Sequence, residues 1–224
     1  MVLFFKSRTR TIISAEDNLD HQKELKNDSN NAAEECKTLT VWRKSLLFSC
    51  EGFTVFGSDG SLVYRVDNYT GRGRRPDQLI LMDGSGMPVL TMFRRKKLGL
   101  IDSWLIYEGE VDDHSNKKKK KAKKPIFCVK KSLNILQANL NALAYVYRGM
   151  SDKRHYCYVV EGSYTHRSCK VLDESRRVVA EIKRKEAIIG GVSFGLEVFN
   201  LIVQPEFDSG FAMALILLLD QMFT

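Results

Sequence analysis

No two of the five cysteines (Cys36, Cys50, Cys128, Cys157 and Cys169) form a CxxC pair, and their number is odd. The opening, MVLFFKSRTR, meets charge too early to hold a secretory core. Both absences point to reduced thiols in the cytoplasm or nucleus and away from secretion. Val2 stands where myristoylation requires glycine, and the sequence does not close on a CaaX box. No apolar run is long enough for a bilayer core of about 30 Å, so any membrane contact is expected to be peripheral. Neither an HExxH frame nor a catalytic pair of carboxylates is present. The expected protein is therefore not an enzyme and uses no cofactor.

Acidic residues are also in deficit. Lysine and arginine exceed them by eight in 224 residues. Such a surplus marks nucleic-acid or membrane binders, but only once the charge is located. Lys117, Lys118, Lys119, Lys120, Lys121, Lys123 and Lys124 supply seven of the eight, within a lysine-rich loop expected over residues 114–124. The rest of the chain is nearly neutral. The tract reads in three ways: a nuclear import signal, a patch for anionic phospholipid, or an inert solvated loop. Uninterrupted lysine offers nucleic acid charge but no aromatic stacking or base-reading geometry.

The longest apolar run lies in SGFAMALILLLDQMFT at the end of the chain, where only Asp220 and Gln221 interrupt it. Alanine, leucine and methionine favour a helix, and Asp208 or Ser209 is placed to cap its first free N–H groups. At 1.5 Å per residue the helix spans about 20 Å, too short to cross a bilayer. Apolar on every side, it has to be surrounded by protein. Phe211, Met213, Leu215, Ile216, Leu217, Leu218, Leu219, Met222 and Phe223 are its expected buried residues.

The remainder supplies the wall. Residues 1–37 are polar and lack a sustained period, which predicts a flexible leader ahead of one domain over residues 38–224. From Leu39 onward short apolar and β-branched segments alternate with turn signals at Asp59-Gly60 and Asp83-Gly84. About a dozen such segments predict a mainly β sandwich or barrel. The stretch SLNILQANLNALAYVYRG begins like a helix weakened by asparagines and ends like a strand. LMDGSGMPVLTMFRRK at 81–96 lies without gaps over VLDESRRVVAEIKRKE at 171–186, with Asp83 on Asp173, Ser85 on Ser175 and Arg94 on Arg184. Two similar β halves can close around one central element.

Three stretches, TLTVWRKSLLFSCEGFTVFGSDGSLVYRVDNY, LILMDGSGMPVLTMFRRKKLGLIDSWLIYEGE and VFNLIVQPEFDSGFAMALILLLDQMF, resemble the plant LURP-one-related family over residues 39–223. That family is similar to the tubby C-terminal domain and to phospholipid scramblases. The resemblance implies a closed barrel of twelve strands around a hydrophobic C-terminal helix. It also implies a non-enzymatic, membrane-tethered or transcription-linked regulatory protein that binds anionic phospholipid headgroups such as phosphoinositides, with a role in plant defence. The alternative it raises is a scramblase-like lipid-handling protein, although no acidic calcium-binding cluster precedes Phe211.

The remaining candidates are minor. His155, Cys157, His166 and Cys169 are the one cluster of soft metal ligands, but the three-residue step from His166 to Cys169 puts them on opposite faces of a strand. The turn GRGRRP at 71–76 could hold an anion through Arg72, Arg74 and Arg75, or be a plain basic loop. FRRKK at 93–97 and EIKRKE at 181–186 read as solvent-facing strand ends and not as one joint headgroup site.

Overall fold

A computed structural model describes residues 35–48, 50–68, 77–95, 103–111, 123–132, 141–149, 155–185 and 194–224. The first six strands are β1 (Lys37–Trp42), β2 (Glu51–Phe56), β3 (Leu62–Asn68), β4 (Gln78–Asp83), β5 (Pro88–Arg95) and β6 (Ser103–Glu108). The second six are β7 (Phe127–Lys131), β8 (Ala142–Arg148), β9 (Tyr158–Ser163), β10 (Ser168–Asp173), β11 (Val178–Arg184) and β12 (Val198–Val203), and one helix, α1 (Ser209–Phe223), follows them. Each strand pairs antiparallel with its neighbours in sequence, and β12 pairs with β1 from Lys37↔Val203 to Trp42↔Val198, closing the barrel. Closure removes the exposed strand edges that would otherwise invite aggregation.

Turn chemistry sets the hairpins. Asp83 Oδ1 accepts from the backbone N–H groups of Ser85 and Met87, both at 2.9 Å, and Gly86 takes φ +92°. Asp59 holds the N–H of Ser61 at 3.0 Å, with Gly60 at φ +80°. In the third such turn Asp173 accepts from Arg177 N at 2.9 Å, and the left-handed position that glycine fills elsewhere is taken by Arg176, at φ 65°. The repeat of residues 81–96 in 171–186 therefore carries the turn. It carries the register too, which slips between Leu81 and Met82 and at the matching step between Val171 and Leu172. The two copies form the β4–β5 and β10–β11 hairpins, six strands apart in a ring of twelve, so the barrel is built as two similar halves.

Alternate strand residues point inward, and every strand contributes to one apolar cluster with the helix. From Phe211 to Leu219 no helix residue is more than 5% exposed. Asp208 caps the helix, accepting from Phe211 N at 2.6 Å, while Ser209 Oγ instead meets the Tyr64 hydroxyl at 2.9 Å. Phe211 stacks on Phe127 at 4.3 Å between ring centroids and meets Phe207 edge-on at 5.6 Å.

One expectation for the helix end needs correction. Phe223 is half-buried, because the helix has reached the barrel mouth there; the Lys131 ammonium lies 4.3 Å over its ring and donates to Met222 O at 2.6 Å. Asp220, which interrupts the apolar run, is itself buried at 6% exposure. Among the described residues no helix is long and apolar enough to cross a membrane.

Candidate functional site

Asp220 is the one charged residue of the helix, and three donors converge on its Oδ1. Arg43, from the connection after β1, donates through Nε at 2.9 Å; the Tyr164 hydroxyl donates at 3.0 Å and Thr224 Oγ1 at 3.3 Å. Burial, reinforced by the Asp220 charge, pushes the Tyr164 hydroxyl far above the ordinary phenol range, so it stays a donor. Beside it Arg167, 5% exposed, is sandwiched between the rings of Tyr164 and Phe199 at 4.3 and 4.5 Å, with Nε donating to Leu196 O at 2.8 Å. A cavity of about 270 Å³ opens next to this network. Its walls include Arg43, Lys44, Glu51, Asn68 and Gln221, and its floor Phe53, Val66, Leu79 and Leu217. Because Asp220 already neutralises Arg43 there, the mouth is a lock between helix and barrel before it is an anion site.

A second site lies on the outer wall. The outward residues of β1, β12 and β11 come into one row through the register Thr40↔Asn200↔Lys183. Thr38, Thr40, Asn200, Lys183, Arg184 and Lys185 line a groove there, with the turn after β2 at one side. Lys185 Nζ reaches across to Thr40 Oγ1 at 2.8 Å, and Lys183 lies 2.9 Å from Glu181. Three cations against one carboxylate leave a local positive surplus, and the hydroxyls and the Asn200 amide supply further donors. Such a set suits a phosphorylated or otherwise anionic ligand.

The LURP-one-related family model matches residues 37–220, the whole span from the start of β1 to Asp220. The chain belongs to the LURP-one-related family. It is 46% identical over 227 residues to protein LURP-one-related 17 of Arabidopsis thaliana, covering 100% of both chains. To protein LURP-one-related 8 of the same plant it is 50% identical over 187 residues, which covers 83% of this chain and 86% of that one. The crystal structure of a further Arabidopsis thaliana protein aligns with TM-score 0.55 at 23% identity, over 83% of this chain and 90% of the other, a likeness of fold.

Within this LURP-one-related domain the described residues singled out from sequence do not come together at one site. Lys123 and Lys124 are exposed just before β7, Lys123 donating to Glu108 O; Lys117, Lys118, Lys119, Lys120 and Lys121 lie outside the described residues, as does GRGRRP at 71–76. The basic ends of β5 and β11 stand six strands apart, on opposite walls, and form no joint site. Lys183 and Lys185 gain their interest from Thr38 and Thr40, residues far away in sequence that no local motif connects to them. Residues 191–195, GVSFG, spell the GxSxG of a nucleophile elbow. An elbow places its serine between a strand and a following helix. Here Gly195 leads into strand β12, so the match is one of letters only.

Cys157 and Cys169 face the core, while the His166 ring turns outward to Ser163 Oγ at 2.7 Å. Burial raises both thiols, that of Cys169 to about 12 from an ordinary 9.0. A raised thiol pKa leaves almost no thiolate near neutral pH. With a maleimide under native conditions, Cys36, exposed, and Cys50, half-buried, are expected to react quickly, and Cys128, Cys157 and Cys169 only on unfolding. Mass-mapped labelling checks this; rapid native labelling of Cys169 would contradict the buried placement.

Proposed function

We propose that this LURP-one-related chain is a non-enzymatic, peripherally membrane-tethered regulatory protein that binds anionic phospholipid headgroups in the groove between β11, β12 and β1. The observation that carries this reading is the convergence of Lys183 and Lys185 with Thr38, Thr40 and Asn200 on one concave outer wall. Ammonium groups supply charge and the hydroxyls and amide supply direction, the combination a phosphate monoester requires. The seven lysines between residues 117 and 124 add attraction at longer range, worth about 1 kcal/mol each close to an anionic surface.

Co-sedimentation with phosphatidylcholine vesicles, with and without a phosphoinositide or phosphatidylserine, tests the reading. Lys183→Gln with Lys185→Gln is expected to weaken binding about tenfold to thirtyfold at low salt, on the same scale of about 1 kcal/mol per lysine. The loss should shrink at high salt, where screening cuts the Debye length to about 3 Å. Glutamine in place of the seven tract lysines should slow capture and flatten the salt dependence while sparing headgroup preference. A groove variant that binds like the unaltered chain, beside a tract variant that does not bind, would move the site to the tract. No preference for anionic vesicles in the unaltered chain would end the lipid reading.

A further inference from the structure

The connection between β1 and β2 reverses the usual placement of polar and apolar residues. Ser45 is buried, its hydroxyl donating to Asp67 Oδ1 at 2.5 Å and accepting from Leu47 N at 3.0 Å. Leu46 and Phe48, by contrast, are 52% and 99% exposed. The loop is held on both sides of them: Thr54 Oγ1 donates to Lys44 O at 2.7 Å, and Cys50 N to Leu47 O at 3.3 Å. Two large apolar side chains thus stand in water beside backbone groups, Lys44 O and Leu47 O, that are themselves hydrogen-bonded.

They do not stand alone. Trp42, at the end of β1, is the next outward residue after Thr38 and Thr40, and so continues the groove toward this rim. Lys44 Nζ sits 5.3 Å from its ring centroid. Across β12 the exposed Phe194 lies 6.0 Å from Lys185 Nζ, the same ammonium that reaches Thr40. Of the acids at this mouth, Glu197 is paired with Arg43 at 3.7 Å, and Glu51 shares the cavity wall with Arg43 and Lys44.

Apolar tips beside aromatic rings and ammonium groups have the composition of the membrane interface, where leucine and phenylalanine enter the acyl boundary, tryptophan lies among headgroups and lysine meets phosphate. We propose that this rim is a wedge that inserts into the surface of an anionic bilayer, with Phe48 and Leu46 leading and Trp42 at headgroup depth. The proposal rests on the groove as headgroup site and adds the orientation: the barrel stands on the mouth where the helix ends. A protein partner would be met by a flat or concave apolar patch, whereas Phe48 has almost no neighbour at all.

The test places a probe at the tip. In Trp42→Phe with Phe48→Trp, the indoles left are the probe and the sealed Trp104. Vesicles containing phosphatidylserine or a phosphoinositide should shift the probe's emission to the blue, and brominated acyl chains should quench it. Separately, Leu46→Ser with Phe48→Ser should weaken vesicle binding at least about tenfold, since apolar transfer is lost. That loss should persist at high salt, unlike the loss caused by the lysine variants. Both side chains are exposed, so a cooperative melt at an unchanged temperature certifies the fold of each variant. Bound vesicles with an unshifted, unquenched probe and undiminished binding of the serine variant would overturn the wedge and leave the headgroup reading intact. Failure of the unaltered chain to bind vesicles would overturn both.

Discussion

Chains that end at Asp208 are expected to be insoluble or molten, with strand signal in the far ultraviolet but no near-ultraviolet fine structure and no cooperative melt. The truncation removes Phe211, Met213, Leu215, Ile216, Leu217, Leu218, Leu219 and Met222, each 6% exposed or less. At about 1.5 to 3 kcal/mol for each large side chain, the gross loss exceeds roughly 10 kcal/mol, as much as a typical domain retains net. It also leaves the barrel lined by apolar side chains facing a void that water cannot fill favourably. Leu217→Asp should do nearly the same by placing an unpaired charge in that interior. Leu217→Ala, costing about 2 to 5 kcal/mol, should remain folded. A helix serving as a peripheral anchor would behave otherwise: the truncated chain would stay monomeric and melt cooperatively, and that result would refute the central helix.

The second large effect is expected at Asp220. Asp220→Ala strands the Tyr164 hydroxyl and leaves Arg43 with the more distant Glu197 carboxylate, at 3.7 Å, in place of Asp220 at 2.9 Å. Breaking a buried pair from one side costs about 3 to 5 kcal/mol. Arg43 keeps a third of its side chain exposed and can turn to water, so the loss should fall at or below the lower end of that range. Arg43→Met combined with Asp220→Leu should recover much of the stability by replacing the pair with apolar packing. Urea unfolding of the two single variants and the double one gives the coupling directly. Additive losses would show that the lock at the mouth contributes nothing of its own.

The helix could be read from sequence because its information is local: an apolar run, a capping aspartate and a length. The Asp-containing turns were legible for the same reason, and so was the half-barrel repeat, since Asp83 and Asp173 do the same work on neighbouring N–H groups. The count of twelve strands and their closure came from resemblance to a family, because strand spacing alone fits a sandwich as well as a barrel. The role of Asp220 is not legible in the sequence, because its partners Arg43 and Tyr164 lie 177 and 56 residues away. The groove escaped likewise, since Lys185 meets Thr40 across 145 residues of chain. The lysine tract, by contrast, is a local signal that any reading of the sequence meets.

The position of the helix after all twelve strands also sets an order of events during synthesis. A ribosome delivers both halves of the wall before the segment that fills them, so each nascent barrel passes through a stage with its apolar lining open to water. That stage is long-lived on the scale of hairpin formation, because elongation runs at about 5 to 20 residues per second and hairpins close in microseconds. The strand that completes the ring, β12, emerges only shortly before the filling does. Until then β1 presents an unpaired edge. Codon choice or chaperone capture late in the message, around the codons for β12 and α1, should therefore govern yield more strongly than equal changes near its start.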